Sequence, residues 1–168
     1  MKYKPLLFLI LNILISACSI NNKPGVSNKK IVLTTAAIIE VCKNKQPKGI
    51  VLIERGKEPW GYALPGGKVE YGETVEHAIR REMKEEVNLE LYNLKLIGVH
   101  SEPSRDPRHH SVEVTYQATA FNNPTAGDDA AKAFIVTHDQ IPWGKFAFDH
   151  EMIVKNYLLK RDIKKICD

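Results

Sequence analysis

A glycine turn that leads into a helix with an acidic face constrains this chain more than any other feature of its sequence. The helix is predicted to run from a cap at Thr74 to Val87. Its first half carries an apolar stripe at helical spacing, formed by Val75, Ala78 and Ile79. Steps of three and four residues carry this stripe on to three carboxylates, Glu82, Glu85 and Glu86. The sequence therefore predicts a helix that packs on a core at its start and is acidic on its inner side farther along.

The crowded carboxylates favour a cation site. Carboxylates this close together repel one another and are costly to bury unless a positive charge neutralises them. Hard divalent cations such as Mg²⁺ and Mn²⁺ take oxygen ligands of this kind. A solvated, salt-bridged helix face is the alternative, and it is the commoner explanation of a charge run. The glycines of the preceding "LPGG" favour the cation site, because they let backbone approach a ligand closely.

The spacing of these residues resembles the Nudix box, G-x5-E-x7-R-E-U-x-E-E-x-G-U, in which U is aliphatic. Gly67, Glu73 and the run from Arg81 to Leu89 match it at every position except the last glycine, which is Asn88 here. A glycine just past a helix usually adopts the left-handed conformation, and asparagine is the next residue to tolerate it. The departure is therefore mild.

The resemblance implies an α+β Nudix fold, a mixed β-sheet sandwiched between α-helices. It implies that Mg²⁺ or Mn²⁺ is held by the helix and the turn, through Glu82, Glu85, Glu86 and the backbone carbonyl of Gly66. Catalytic roles are expected for Glu85 and Glu82. Glu73 and Arg81 are expected to pair and so to brace the loop against the helix. The implied reaction is hydrolysis of a nucleoside diphosphate linked to another group.

Segments outside the box resemble the ADP-ribose pyrophosphatases of this family. They are "WGYALPGG", "SRDPRHHSVEV", "AGDDA" and "FAFDH". The resemblance implies cleavage of ADP-ribose to AMP and ribose 5-phosphate. The alternatives are a pyrophosphohydrolase of nucleoside triphosphates or dinucleoside polyphosphates, and a non-catalytic module that senses a nucleotide.

Several residues outside the helix are candidate substrate contacts. Arg105, Arg108 and His109 lie on a loop with two prolines and could hold phosphate or ribose oxygens, although a solvated loop explains them equally well. Gly67 is expected beside the substrate. Tyr62, like Trp60, could stack on adenine or simply pack in the sheet, which is the commoner arrangement.

The remaining candidates concern a base and a helix start. Asp128 could be a general base, whereas Asp129 fits a turn better. Many relatives have a glutamate where this chain has Lys132, which leaves a catalytic acid from that loop in doubt. Asp149 and His150 are predicted to cap and start the last helix.

The rest of the chain predicts strands around the acidic helix and a second helix at the end. Runs rich in β-branched residues precede the helix, and the first two are expected as a hairpin or as neighbouring strands. Two alternating segments and a short strand follow it. The last segment, 148–165, is amphipathic, with Ile153, Tyr157 and Leu158 at helical spacing. This order is typical of an α+β domain, and residues 30–168 are assigned to it.

The N-terminal residues have the pattern of an export signal. Residues 1–17 combine lysines, a short apolar run and small residues, and the run is too short to span a bilayer comfortably. A buried helix is the alternative. The motif "ISAC" resembles the lipobox of bacterial lipoproteins, which implies cleavage before Cys18 and lipidation of that residue. Ordinary signal peptidase cleavage is the rival, and Ile15 fits it poorly.

The lipobox sets the expected location of the mature protein. Ser19 resembles the outer-membrane sorting pattern, so the anchored chain is expected to face the periplasm or the exterior, and residues 18–29 form a polar tether. Cys42 and Cys167 then remain, as free thiols by default or as a pair in an oxidising compartment. A net charge of +4 does not indicate a nucleic-acid partner. A homodimer is expected only by analogy with relatives.

Overall fold

A seven-stranded mixed β-sheet, covered by one helix on each face, organises the part of the chain that the computed structural model describes, residues 30–127, 130–162 and 166–167. The strands are β1 (Val32–Lys43), β2 (Gln46–Arg55), β3 (Tyr62–Ala63), β4 (Gly66–Lys68), β5 (Tyr92–His100), β6 (Ser111–Ala120) and β7 (Ala130–Val136). The helices are α1 (Val75–Val87) and α2 (His150–Lys160). The predicted signal peptide, the tether and Cys18 lie outside the described residues.

Strand β1 is the axis of the sheet. The strand order is β3-β2-β1-β6-β5, while β4 pairs with β1 and β7 pairs with β2. β1 and β6 run parallel, and the other pairs are antiparallel. β1 and β2 form a hairpin around Asn44 and Lys45, whose φ angles of 53° and 58° suit a two-residue turn that follows the strand twist. The hairpin alternative is thus confirmed, with a shorter turn than the polar segment suggested.

The two helices cover opposite faces of this sheet. One core contains Ile79, Met83 and Val87 of α1 with alternate β1 residues such as Ile39. The other core contains Ile153 and Tyr157 of α2 with the intervening β1 residues. Residues 36–42 of β1 are therefore buried on both faces, which explains why they are apolar apart from Glu40. The predicted α+β sandwich is confirmed.

The packing face of α1 differs from the predicted stripe. After Ile79 the core contacts pass through Met83 and Val87, which are fully buried, four and eight residues on. Glu82 and Glu86 lie along the border of that face, and Glu85 is exposed. A helical stripe can advance by three or by four residues, and the sheet beneath decides which. The carboxylates therefore flank the core contact of α1 and do not continue it.

The two remaining cysteines form a disulfide, so the default of free thiols is wrong. Cys42 in β1 is joined to Cys167 across 125 residues of sequence, with the Cα atoms 5.7 Å apart. Such a distant pair cannot be read from sequence, because pairing depends on the tertiary fold. Neither helix within the described residues combines the length and apolar character that crossing a bilayer would require.

Candidate active site

The turn before α1 brings backbone against the acidic side of the helix. Gly66 donates its N–H to Oε2 of Glu86 at 2.8 Å. A Cβ atom on Gly67 would lie 2.1 Å from the carboxyl carbon of Glu82, so only glycine leaves room for that carboxylate. Thr74 caps α1 by accepting a hydrogen bond from the His77 N–H at 3.2 Å. Turn and helix therefore form one rigid unit.

The C-terminal end of α1 has the cap that its sequence predicts. Asn88 adopts the left-handed conformation with φ 52°, and its N–H bonds to the Met83 carbonyl. Thr125 and Gly127 donate to the carbonyls of Val87 and Glu86 at 3.0 and 2.8 Å. The chain leading to residue 127 thus packs on the C-terminal end of α1. Asp128 and Asp129, the candidate base and its neighbour, lie outside the described residues.

Arg81 connects the turn to the carboxylates. Its Nη2 bonds Oε1 of Glu73 at 2.7 Å and the Lys68 carbonyl at 3.0 Å. This geometry is the brace that the Nudix resemblance implies. The hydrogen bond from Arg81 lowers the pKa of the Glu73 carboxyl to about 2, and the same bond raises the pKa of Arg81. Glu73 is therefore ionised at neutral pH, which keeps the brace charged.

The three helix carboxylates differ in their exposure. Glu86 is buried, the Glu82 side chain is 17% exposed, and that of Glu85 is 51% exposed. Nη1 of Arg81 donates to Glu82 at 2.9 Å and to Glu85 at 3.0 Å. Burial raises the pKa of the Glu82 carboxyl against the opposing bond from Arg81, and the charge of Glu85 adds to the rise. One arginine therefore serves several carboxylates, and the local charge is negative.

These carboxylates fit a hard divalent cation in donor type. In their present contacts, however, no three acidic, histidine or cysteine side chains among the described residues are arranged to hold an ion together. Arg81 engages Glu82 and Glu85, and Gly66 engages Glu86. Oxygen ligands from one helix, next to backbone that glycine brings close, match what Mg²⁺ or Mn²⁺ requires. Binding would require Arg81 Nη1 to yield its acceptors to the ion.

A cavity of about 570 Å³ opens in front of this cluster. Its wall includes the carboxylates of α1 and cationic and aromatic side chains from loops distant in sequence. The charged and aromatic lining comprises Arg55, Lys57, Lys68, Glu70, Arg81, Glu82, Glu85, Glu86, Arg105, Asp106, Arg108, His109, Glu113, Phe148 and His150. Such a cavity suits a ligand that has a metal-binding diphosphate at one end and further polar groups at the other.

A buried ionic network supports the floor of the cavity. Arg105 donates through Nε and Nη2 to both carboxylate oxygens of Asp149, at 3.0 and 2.6 Å, and its Nη2 lies 3.1 Å from Glu113. Nδ1 of His150 accepts the Leu64 N–H at 2.9 Å, so Nε2 carries the proton that bonds Glu113 at 3.2 Å. Burial acts to raise the pKa of Glu113, but His150 and Arg105 outweigh it and keep this pKa below its ordinary value.

The network gives two residues a different role from the predicted one. The Arg105 side chain is 3% exposed and its guanidinium is committed to internal acceptors, so it supports the cavity and does not offer its donors to a substrate. Asp149 precedes α2 without a side-chain capping bond, because its carboxylate pairs with Arg105. His150 does begin α2, as predicted.

Arg108 is the arginine of this loop that faces the cavity with an accessible guanidinium. Its side chain is 40% exposed, and Asp106 accepts from its Nε and Nη2 at 2.9 and 2.8 Å. The guanidinium of Arg108 also lies 5.2 Å from the centre of the Phe148 ring, and that of Arg55 lies 4.7 Å from the same ring. Two arginines thus contact one aromatic ring at the cavity wall. His109 lies beside them, 3.6 Å from Asp106.

Other predicted residues lie apart from the cavity. Tyr62 packs edge-to-face on Phe134, with ring centroids 5.6 Å apart, so its predicted contact with substrate gives way to packing beneath α2. Lys132 pairs with Glu54 on the neighbouring strand at 2.9 Å. Trp60 remains exposed.

Sequence reasoning missed Phe148 and Glu113. Phe148 stands in the sequence only as part of "FAFDH", yet it lines the cavity with φ 59°, a conformation that bulky residues rarely adopt. Glu113 alternates with valines in β6 and therefore looks like a solvent-facing strand residue. Only the packing of α2 on that face shows that it is buried.

The comparisons with known proteins agree with this geometry. An ADP-ribose pyrophosphatase from Methanocaldococcus jannaschii is 40% identical over 139 residues, covering 81% of this chain and 80% of that protein. The MutT/nudix family protein from Enterococcus faecalis superposes with a TM-score of 0.67 at 25% identity, over 82% of this chain and 67% of that one.

A third comparison concerns fold alone. The NUDIX domain of Shewanella oneidensis NrtR, whose structure was determined with ADP ribose, has a TM-score of 0.70 at 21% identity, over 79% of this chain and 89% of that one. Residues 32–157 match the family model of the NUDIX domain. The chain therefore belongs to the Nudix family of hydrolases, and its activity is hydrolysis of a nucleoside diphosphate linked to another group.

Proposed function

We propose that this protein hydrolyses ADP-ribose to AMP and ribose 5-phosphate with the help of Mg²⁺ or Mn²⁺. The observation that carries the proposal is the 40% identity to an ADP-ribose pyrophosphatase over four-fifths of both chains. The intact cluster of Glu82, Glu85 and Glu86 around one cavity supports it from the side of chemistry.

The α1 carboxylates would hold the metal, together with backbone of the Gly66–Gly67 turn. When bound, the ion neutralises the diphosphate and promotes attack by water. Glu85 is the most exposed of the three and opens onto the cavity, so its carboxylate is placed to accept a proton from the attacking water. The water oxygen bonds to one phosphorus while the bridging P–O bond breaks.

Arg108 would bind the phosphate or ribose oxygens of the substrate. Asp106 fixes its guanidinium through two hydrogen bonds, and Phe148 supports the guanidinium plane. A guanidinium held in this way loses little side-chain freedom when it pairs with an anion. Glu73 and Arg81 act through position, because they hold the glycine turn against the helix.

A substrate panel tests the proposal directly. Purified protein with Mg²⁺ or Mn²⁺ should release AMP and ribose 5-phosphate from ADP-ribose, and Glu86→Gln should abolish that release. Release of pyrophosphate from nucleoside triphosphates, with ADP-ribose left intact, would instead identify a triphosphate pyrophosphohydrolase. Cleavage of dinucleoside polyphosphates alone would likewise overturn the ADP-ribose assignment. Thermal stabilisation by ADP-ribose without turnover would indicate a sensing module.

We also propose that the mature protein is exported and anchored by lipid on Cys18, with residues 18–29 as the tether. The signal-like residues 1–17 support export. The disulfide between Cys42 and Cys167 supports an oxidising compartment, since such bonds are rare in the cytosol.

Metabolic labelling with palmitate tests this anchor. A labelled band in the membrane fraction that disappears in Cys18→Ser is the expected result. An unlabelled, soluble periplasmic protein would rule out the anchor, and a protein that keeps residues 1–17 in the cytosol would rule out export as well.

A further inference from the structure

A second, shallower depression lies next to the active-site cavity. It has a volume of about 390 Å³ and is lined by Glu58, Pro59, Trp60, Pro107 and Arg108. Arg108 also lines the main cavity, so one guanidinium forms part of both walls. The two depressions therefore adjoin at Arg108.

Trp60 is exposed on a loop whose backbone is fixed. Trp60 is 64% exposed, which is unusual for so large an apolar side chain. Arg55 holds the loop by donating Nε to the Pro59 carbonyl at 2.6 Å and Nη2 to that of Glu58 at 3.2 Å. On the other side, Gly61 with φ 134° packs so tightly that a Cβ would lie 2.7 Å from the Lys145 carbonyl. The indole is thus presented by rigid backbone on both sides.

The opposite wall of the depression is equally constrained. Arg108 is held by Asp106 and lies over Phe148, and Pro107 stiffens the chain just before it. The depression therefore offers a preformed aromatic plane and a guanidinium plane. Flat aromatic ligands stack on both kinds of surface. A nucleobase has that shape, and stacking suits any base because every base has a π-face.

We propose that Trp60 is a specificity-determining residue on which the nucleobase of the substrate stacks, with Arg108 spanning base and diphosphate. This inference rests on the proposed function for the presence of a nucleotide. The inference also places the base. It would lie at the loops 58–60 and 107–108, away from α1.

Intrinsic fluorescence tests the site without turnover. The sequence has two tryptophans, Trp60 and Trp143, so Trp143→Phe leaves Trp60 as the sole reporter. Titration of this variant with AMP should quench its emission, while ribose 5-phosphate at the same concentrations should not. Absence of quenching by AMP, or equal quenching by ribose 5-phosphate, would overturn the stacking site.

Steady-state kinetics give the second measurement. Trp60→Ala should raise the KM for ADP-ribose by about 5- to 100-fold with a smaller change in kcat, the range expected when one base loses an aromatic partner. Trp60→Phe should recover most of the loss. Trp143→Ala is the matched control, because Trp143 is also exposed but packs near Phe146 and Lys155, outside both depressions.

The outcomes separate this inference from the proposed function. Equal KM values for Trp60→Ala and Trp143→Ala would overturn the role of Trp60 even if ADP-ribose is cleaved efficiently. Conversely, quenching of Trp60 by AMP would support the base site even if ADP-ribose proves not to be the substrate. The fluorescence arm uses Trp143→Phe, so it stays decisive if Trp60→Ala does not fold.

Discussion

Two groups of carboxylates meet at the active-site cavity, one on α1 and one beneath it. In the lower group, Glu113 and Asp149 are matched by donors from Arg105 and His150. In the α1 group, which includes Glu73 of the preceding turn, the single guanidinium of Arg81 contacts three carboxylates, those of Glu73, Glu82 and Glu85. The carboxylates of the first group are hydrogen-bonded by donors from within the protein, whereas the second group carries more negative charge than Arg81 can balance.

The difference explains why two acidic groups so close together have different roles. A buried charge is tolerated only where partners replace its lost hydration, and a matched network does so with the protein's own groups. The α1 group retains negative charge on the wall of a cavity, where an external cation can enter. The supply of internal hydrogen-bond donors, and not the number of carboxylates, distinguishes the support from the catalytic site.

Breaking the lower network should give the largest effect. Arg105→Met leaves Glu113 and Asp149 without their cation, and we expect the free energy of unfolding to fall by about 3–5 kcal/mol. Chemical denaturation followed by circular dichroism measures it. Arg108→Met is the matched control on the same loop, because the Arg108 guanidinium is partly exposed and should contribute about 1 kcal/mol or less. Equal stability of the two variants would contradict the structural role of Arg105.

Removing a charge from the α1 group should lower activity strongly and stability only slightly. Glu82→Gln is expected to lower the turnover of ADP-ribose by about 100-fold or more, since a metal ligand is lost. Its free energy of unfolding should stay within about 1 kcal/mol of the wild type, because the variant also removes repulsion with neighbouring carboxylates. Titration with Mn²⁺ followed by electron paramagnetic resonance should show weaker binding. Glu90→Gln, outside the cavity, is the control, and comparable activity of both variants would contradict a ligand role.

The sequence predicts local features of this molecule well. The Thr74 cap, the left-handed Asn88 and the order of strands and helices depend on neighbouring residues, and all three are present. The glycine turn before α1 is also recognisable in the sequence, because its residues are contiguous with the helix. Caps and turns of this kind depend on residues a few positions apart, so they can be predicted from a single sequence.

Features that depend on distant contacts were missed or misjudged. Arg105 meets Asp149 across 44 residues, and Cys42 meets Cys167 across 125. Tyr62 packs under α2 because its side chain lies on the face of the sheet that α2 covers. The alternation of residues along a strand does not say which helix covers which face. The same holds for α1. After Ile79 its core contact continues four residues on, at Met83, and not three residues on, at Glu82. Tertiary packing decides each of these cases.

The two glycines of the turn offer a sharper version of the comparison. A Cβ on Gly66 would lie 2.2 Å from the Thr35 backbone carbonyl, whereas the atoms nearest to one on Gly67 all belong to the Glu82 carboxylate. Gly66→Ala should therefore destabilise the fold by about 1–3 kcal/mol. Gly67→Ala should keep most of the stability and lower activity by about 10-fold, because a flexible carboxylate can move aside but loses its position. Thermal unfolding and AMP release measure the two effects, and a reversed pattern would contradict the assignment.

Acid should affect the α1 group through its brace. The pKa of Glu73 is lowered from 4.5 to about 2, so its stabilising contribution is fully present above pH 4.5 and is lost as the pH falls towards 2. We expect the wild type to have a higher unfolding temperature than Glu73→Gln at neutral pH, with a gap that closes between these two values. In an Arg81→Met background, substitution of Glu73 should change this acid dependence much less, because the hydrogen bond from Arg81 is the main cause of the shift. A gap that is independent of pH in the wild-type background would contradict the brace as an ionic contact.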